Sequence, residues 1–195
     1  MDSVKEKKRV IRNNIDKIIN SLSEKEQNDK TQKIEDRLFE FANFQEAAIV
    51  LLYINSINEV RTNNIIKRCF DYDKTLVLPA FETSKYEIKL LRVDNLESDL
   101  KTGPRKIREP IESKCKIVPI ENVDIAIIPS IALDEKGGRI GTGEGYYDRL
   151  IPRLSVTTRK VALAFESQII PQVPTESHDK HVDIIITEKR IIYKI

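Results

Sequence analysis

Apolar positions near the start of the chain recur with the period of a helix. Val4, Ile11, Ile15, Ile18 and Leu22 fall on one stripe with lysines and arginines between them, which predicts an amphipathic helix with a basic outer face. Ser23 followed by Glu26 is a capping-box signature, and Ile34, Leu38 and Phe41 continue as the stripe of a second helix. The chain is therefore expected to open with a helical pair.

The period then changes. "AAIVLLY", Ala47 to Tyr53, is a short continuous apolar run that predicts a buried strand, "NSIN" breaks it, and Val60, Ile65, Ile66 and Cys69 predict another helix. Further strands are expected at "TLVLP" (75–79), at the alternating and more exposed "YEIKLLRV" (86–93), and at "DIAIIP" (124–129). A short helix around 145–151 follows, then strands at "KVALAF" (160–165), "VDIIIT" (182–187) and "IIYKI" (191–195). Apolar strands alternating with helices predict an α/β fold with a mostly parallel sheet covered on both faces. The charged, proline-containing stretch 94–122 reads as a long surface excursion, either a lid or a plain loop.

Length and composition narrow the classes. The 195 residues fit one domain over 1–195, and 40% hydrophobic with 33% charged residues is a soluble globular balance. A net charge of +2 does not announce a nucleic-acid partner, and the longest apolar runs fall short of the ~20 residues of a membrane span. The N-terminus carries no secretory pattern, and Cys69 and Cys115 belong to no metal-type spacing, so a cytoplasmic protein is expected.

Candidate chemistry concentrates in two places. "GGRIGTGEGYYDR", Gly137 to Arg149, holds five of the six glycines between a strand and a helix, where backbone can approach an anion at a helix start. Because a helix end is worth only about 0.3–1 kcal/mol to an exposed anion, a bound polyphosphate also needs formal cations, and Arg139 is the local one. Asp148 can hold magnesium against the phosphates, and Tyr146 and Tyr147 offer flat faces and hydroxyls. No "GK[ST]" follows the glycines and the dinucleotide spacing is not met; the alternative is a structural turn with a tyrosine packed in the core. In "PTESHDKHVD", Glu176, His178, Asp179, His181 and Asp183 gather between two strands. Zinc is conceivable there, a polar loop of caps and turns is the preferred reading, and magnesium would need only one or two of the oxygens.

"GGRIGTGEGYYDR" together with "LAFESQIIPQVPTESHDKHVDIIITE" resembles the 5-formyltetrahydrofolate cyclo-ligase family, also called 5,10-methenyltetrahydrofolate synthetases. "KRVIR" near the N-terminus, "INSINEVRT", "LP" at 78–79 and "IREP" at 107–110 follow the same order. The resemblance implies a three-layer α/β/α fold and conversion of 5-formyltetrahydrofolate, a small-molecule folate, to 5,10-methenyltetrahydrofolate with ATP as co-substrate and Mg2+; a monomer is expected, although sequence does not itself reveal the oligomeric state. It also implies that Lys8 and Arg12, Arg139, and the loop Gly141, Thr142, Gly143, Glu144, Gly145, Tyr146 and Tyr147 bind ATP. Ile54 and Glu59, with the loop from Thr142 to Tyr146, would contact the folate. Asp148 and Asp179 would hold the metal, and Arg139 and Tyr147, or Tyr146 in its place, would serve the reacting groups.

The loop departs from the family pattern at Thr142, where a bulkier or basic residue is common, and at Glu144, where glycine or lysine is usual. A like charge about 4 Å from a phosphate costs on the order of 4 kcal/mol at an effective dielectric of about 20. Glu144 must therefore point outward, pair with a cation, or help hold magnesium. Two other classes stay open from the residues alone: a non-catalytic nucleotide-binding module, and an ATP-dependent kinase or ligase with another substrate.

Overall fold

The structure is a computed structural model that describes residues 3–103 and 105–194; Met1, Asp2, Pro104 and Ile195, the last of these the end of the final expected strand, lie outside them. The basic amphipathic stretch forms α1 (Val4–Ser21), where Ser3 Oγ accepts the Glu6 N–H at 3.2 Å. Helix α2 (Glu24–Glu40) starts on the expected capping box: Ser23 Oγ accepts from Glu26 N at 3.2 Å and Glu26 Oε2 accepts from Ser23 N at 2.8 Å. It stops before Phe41, which caps it and leads into the short α3 (Ala42–Glu46).

There follow β1 (Ile49–Leu51), α4 (Asn63–Asp71), β2 (Thr75–Glu82), β3 (Glu87–Arg92), β4 (Leu100–Thr102), β5 (Arg108–Pro110) and β6 (Lys116–Ile117). The chain continues with β7 (Ile125–Ile127), β8 (Ala132–Leu133), β9 (Arg139–Ile140), α5 (Tyr146–Leu150), β10 (Arg159–Leu163), β11 (Ile184–Ile186) and β12 (Ile191–Tyr193). Eight strands form one sheet in the order β12-β11-β10-β7-β1-β2-β3-β6. Its five central strands, β11 to β2, run parallel. β12, β3 and β6 are antiparallel to their neighbours.

The central strands are apolar without interruption because both faces are buried. Val50, Ile125, Ile127, Val161 and Ile184 pack with Ile15, Ile19, Ile34, Leu38 and Ile65 of α1, α2 and α4. Their neighbours Leu51, Ala126, Ala162 and Ile185 pack on the opposite side with Tyr146, Leu150, Ile151 and Leu154. These are the three layers that were expected. From β1 the chain moves to β2 on one side, whereas from β7 it moves to β10 on the other, so the winding direction reverses between β1 and β7. Open α/β sheets place ligands outside the strand ends at such a reversal.

Three local expectations change. Residues 94–122 are not a plain excursion: β4 pairs with β5, β6 extends the sheet edge along β3, and Leu100, Glu109 and Cys115 are buried. β2 runs to Glu82 through Pro79, because β1 pairs with it only as far as Val77 and leaves that side open. The pair β8 and β9 has strands of two residues each, too short to leave a periodic signal.

Candidate functional site

A cavity of about 370 Å³ opens beyond the ends of β1 and β7, at the point where the winding reverses. That volume falls in the range of small-molecule sites. Tyr53 and Ile54 enter it from the end of β1, Pro79 and Phe81 from β2, Pro129 from beyond β7, Lys8 and Arg12 from α1, and Arg139 to Gly143 with Gly145 to Asp148 from the glycine loop. Glu176, His178 and Asp179 complete it from the loop before β11.

The glycine loop is pinned at its base. Buried Asp134 accepts from Lys136 N at 3.0 Å and Gly138 N at 2.9 Å through Oδ1, and from Val173 N at 2.8 Å through Oδ2. Beyond β9 the backbone turns through Gly143 at φ 103° and Gly145 at φ 73°, a region that favours glycine. A Cβ on Gly143 would also stand 3.3 Å from Arg12 Nη2. Gly145 precedes α5, whose five residues give little dipole, so formal charge must dominate any anion binding.

Those charges come from distant parts of the chain. Arg12 Nε donates to Gly141 O at 2.8 Å, and Lys8 Nζ donates to Asp179 Oδ1 at 2.7 Å and Glu176 Oε2 at 3.3 Å. Arg139 is 5% exposed and pairs with Asp148 at 2.8 Å, while its buried Nε has no hydrogen-bond partner among the described residues. Burial pulls the Arg139 and Arg12 guanidinium groups below their ordinary pKa, opposed at Arg139 first by Asp148 and at Arg12 by Asp16 and Asp179. Both remain protonated at neutral pH. For Asp179, burial raises the pKa, but the Lys8 hydrogen bond and the Glu176 N–H outweigh it and hold the carboxyl below the usual range.

The two carboxylates singled out in sequence meet through the backbone: Lys180 N donates to Asp148 Oδ1 at 3.1 Å. One ligand atom each of Glu176, His178 and Asp179 lies within 4.8 Å of the others. Carboxylates at the rim of a cavity lined by Lys8, Arg12 and Arg139 fit magnesium, which takes one or two carboxylates together with phosphates.

The other wall is aromatic. Tyr146 packs edge-on against Phe81 with centroids 5.0 Å apart. Tyr147 is partly buried, and its hydroxyl, itself out of contact with solvent, has no partner among the described residues. Burial drives the Tyr147 and Tyr53 hydroxyls well above their ordinary pKa, and Glu59 adds to both shifts. Glu59 itself is pushed up by burial, against the Ser56 N–H that donates to its Oε2 at 2.8 Å. An unpartnered buried hydroxyl costs about 1–3 kcal/mol. Tyr147→Phe should therefore melt at or above the wild-type temperature; a clearly lower melting temperature would mean that the hydroxyl finds a partner in the folded protein.

A carboxyl whose folded pKa is raised favours the native state below its unfolded pKa and loses that contribution as pH climbs through the folded value. Wild type should accordingly lose stability relative to Glu59→Gln as pH rises from about 4 towards neutrality. Parallel denaturant-unfolding curves across that range would mean that Glu59 is not desolvated.

Most of the expected site residues line this one cavity: Lys8, Arg12, Ile54, Glu59, Arg139, Gly141, Thr142, Gly143, Gly145, Tyr146, Tyr147, Asp148 and Asp179. Glu144 does not line it, and its carboxylate pairs with Arg105 instead. Of the three alternatives for Glu144, the pairing with a cation is the one seen. His181 also stays outside the wall, with Nδ1 3.3 Å from Lys136 O. The sequence reading missed Tyr53, Phe81 and Arg105. Tyr53 was concealed in an apolar run and Arg105 in the charged excursion, although "IREP" beside it was a signal.

Fold and cavity together define an α/β domain with a candidate ligand site at the reversal of the sheet. The model of the 5-formyltetrahydrofolate cyclo-ligase family matches residues 4–188. The chain belongs to that family. It is 26% identical to the mouse 5-formyltetrahydrofolate cyclo-ligase over 195 residues, covering 95% of this chain and 96% of the mouse protein. To the probable 5-formyltetrahydrofolate cyclo-ligase of Caenorhabditis elegans it is 28% identical, with 98% of each covered. The NMR structure of Aquifex aeolicus 5,10-methenyltetrahydrofolate synthetase superimposes with a TM-score of 0.85 at 32% identity, covering 96% of this chain and 92% of that one. Among the described residues no helix is long and apolar enough to cross a membrane.

Proposed function

We propose that the protein converts 5-formyltetrahydrofolate to 5,10-methenyltetrahydrofolate using ATP and Mg2+, releasing ADP and phosphate. The observation that carries this reading is that one cavity joins the cationic glycine loop to an aromatic wall with a buried carboxyl at Glu59. The first half suits a polyphosphate and the second a pterin, whose ring nitrogens can donate to a carboxylate. Family membership supports the same chemistry. We also read the chain as one domain over 1–195, a monomer of the cytoplasm that binds no nucleic acid or membrane.

A formamide carbon is a poor electrophile because nitrogen donates into it and oxygen leaves badly. In the proposed sequence the formyl oxygen takes the γ-phosphoryl group and the bond from that phosphorus to the ADP oxygen breaks. N10 then attacks the activated carbon, and after its proton is lost the C–O bond breaks to release phosphate, leaving the imidazolinium ring. Lys8, Arg12, Arg139 and the loop N–H groups orient and neutralise the phosphates, so no side-chain nucleophile is needed. Arg139, buried and with its Nε unpartnered among the described residues, would turn its fork from Asp148 to phosphate. Asp148 and Asp179 would hold the magnesium ion, which when bound spreads the developing negative charge. The Tyr147 hydroxyl, which lacks a partner among the described residues, would hydrogen-bond the formyl group, and the aromatic wall of Phe81 and Tyr146 would limit the access of water to the activated carbon.

A heavy-oxygen label in the formyl group tests the order of bonds. It should appear in the released phosphate. Label retained in the folate or lost to water would overturn the phosphorylation step.

A further inference from the structure

Glu144 stands between two glycines of positive φ, so the loop backbone alone does not fix where its carboxylate points. Its Oε2 nevertheless gathers two donors: Arg105 Nη2, and Thr142 Oγ1 at 3.4 Å. The two positions where the loop departs from the family pattern are thus in contact with each other, and one of them, Glu144, pairs with Arg105.

Arg105 comes from the turn between β4 and β5, and that hairpin is tied to β2 by Glu109 Oε2, which accepts the Phe81 N–H at 3.2 Å. The Arg105 guanidinium lies 4.3 Å from the centroid of Phe81 and 5.4 Å from that of Tyr146. Its side chain is 17% exposed and lines the cavity, while that of Glu144 is 43% exposed and does not. Stacked over the aromatic wall and paired across to the glycine loop, Arg105 ties together the two halves of the site. The loop is otherwise held by Arg12 at Gly141 O and by Arg149, whose Nη1 donates to Gly145 O at 3.2 Å.

We propose that Arg105 and Glu144, with Thr142, form a clasp that pre-organises the glycine loop against the aromatic wall, making Arg105 a positioning residue for the reaction proposed above. A loop with glycines at 141, 143 and 145 that loses the clasp must be ordered when ligands bind, and that cost appears in affinity. The chemical step, served by Arg139 and its neighbours, is left alone. The clasp rests on the cyclo-ligase reading for its catalytic meaning but not for its geometry.

The test is a double-mutant cycle on the full chain. Arg105→Gln and Glu144→Gln should each raise KM for 5-formyltetrahydrofolate and ATP about threefold to tenfold with kcat nearly constant, and the double variant should be no worse than either single one. Arg105→Lys, which keeps the charge, should recover part of the loss. In the ligand-free protein, amide exchange across Gly141–Gly145 should quicken in both single variants. Additive effects, unchanged KM with unchanged exchange, or a fall in the ATP KM of Glu144→Gln would overturn the clasp, the last because Glu144 would then merely repel phosphate. If wild type shows no ATP-dependent folate turnover but loop exchange still quickens in both variants, the clasp stands and the assigned reaction fails.

Discussion

Arg139→Lys should lower kcat/KM by about 10²- to 10³-fold while the melting temperature stays close to wild type. The charge against Asp148 survives the change, so the burial that places residue 139 at 5% exposure remains compensated. What disappears is the planar fork. An ammonium is a compact point charge that cannot make paired contacts to two phosphate oxygens. A variant with wild-type turnover would mean that Arg139 is only the structural counter-ion of Asp148.

Asp148→Asn should raise the magnesium concentration for half-maximal rate by about 10- to 100-fold and leave folate KM unchanged. Asparagine keeps an acceptor for Arg139 and for the Lys180 N–H, so the two loops should stay joined. Only the negative charge that a divalent cation needs is removed. Superimposable magnesium titrations of variant and wild type would take Asp148 out of the metal site and leave it as a strut between the glycine loop and the loop before β11.

What could be read from sequence was what is local. Ser23 and Glu26 announced their capping box because both partners lie within one helical turn, and uninterrupted apolar runs marked β7, β10 and β11 because those strands are buried on both faces. The five clustered glycines likewise located the loop, and three of them, Gly137, Gly143 and Gly145, stand at a positive φ that calls for their conformational freedom. Pairing across the chain was not legible. Lys8 and Asp179 are separated by 171 positions, and neither segment contains a sign of the other. Glu144 shows the limit most clearly: its three alternatives could be separated only by its partner, which lies 39 positions away in a stretch read as surface. Two-residue strands such as β8 and β9 escape any periodic test, yet they deliver Arg139 to the cavity.

The most direct measurement follows near-ultraviolet absorbance as purified protein meets 5-formyltetrahydrofolate, ATP and magnesium. The methenyl product conjugates its new ring and absorbs where the substrate does not, so absorbance should grow with time and only when ATP is present. A flat trace with folded protein, or growth independent of ATP, would contradict the ATP-dependent cyclo-ligase reaction proposed for this site.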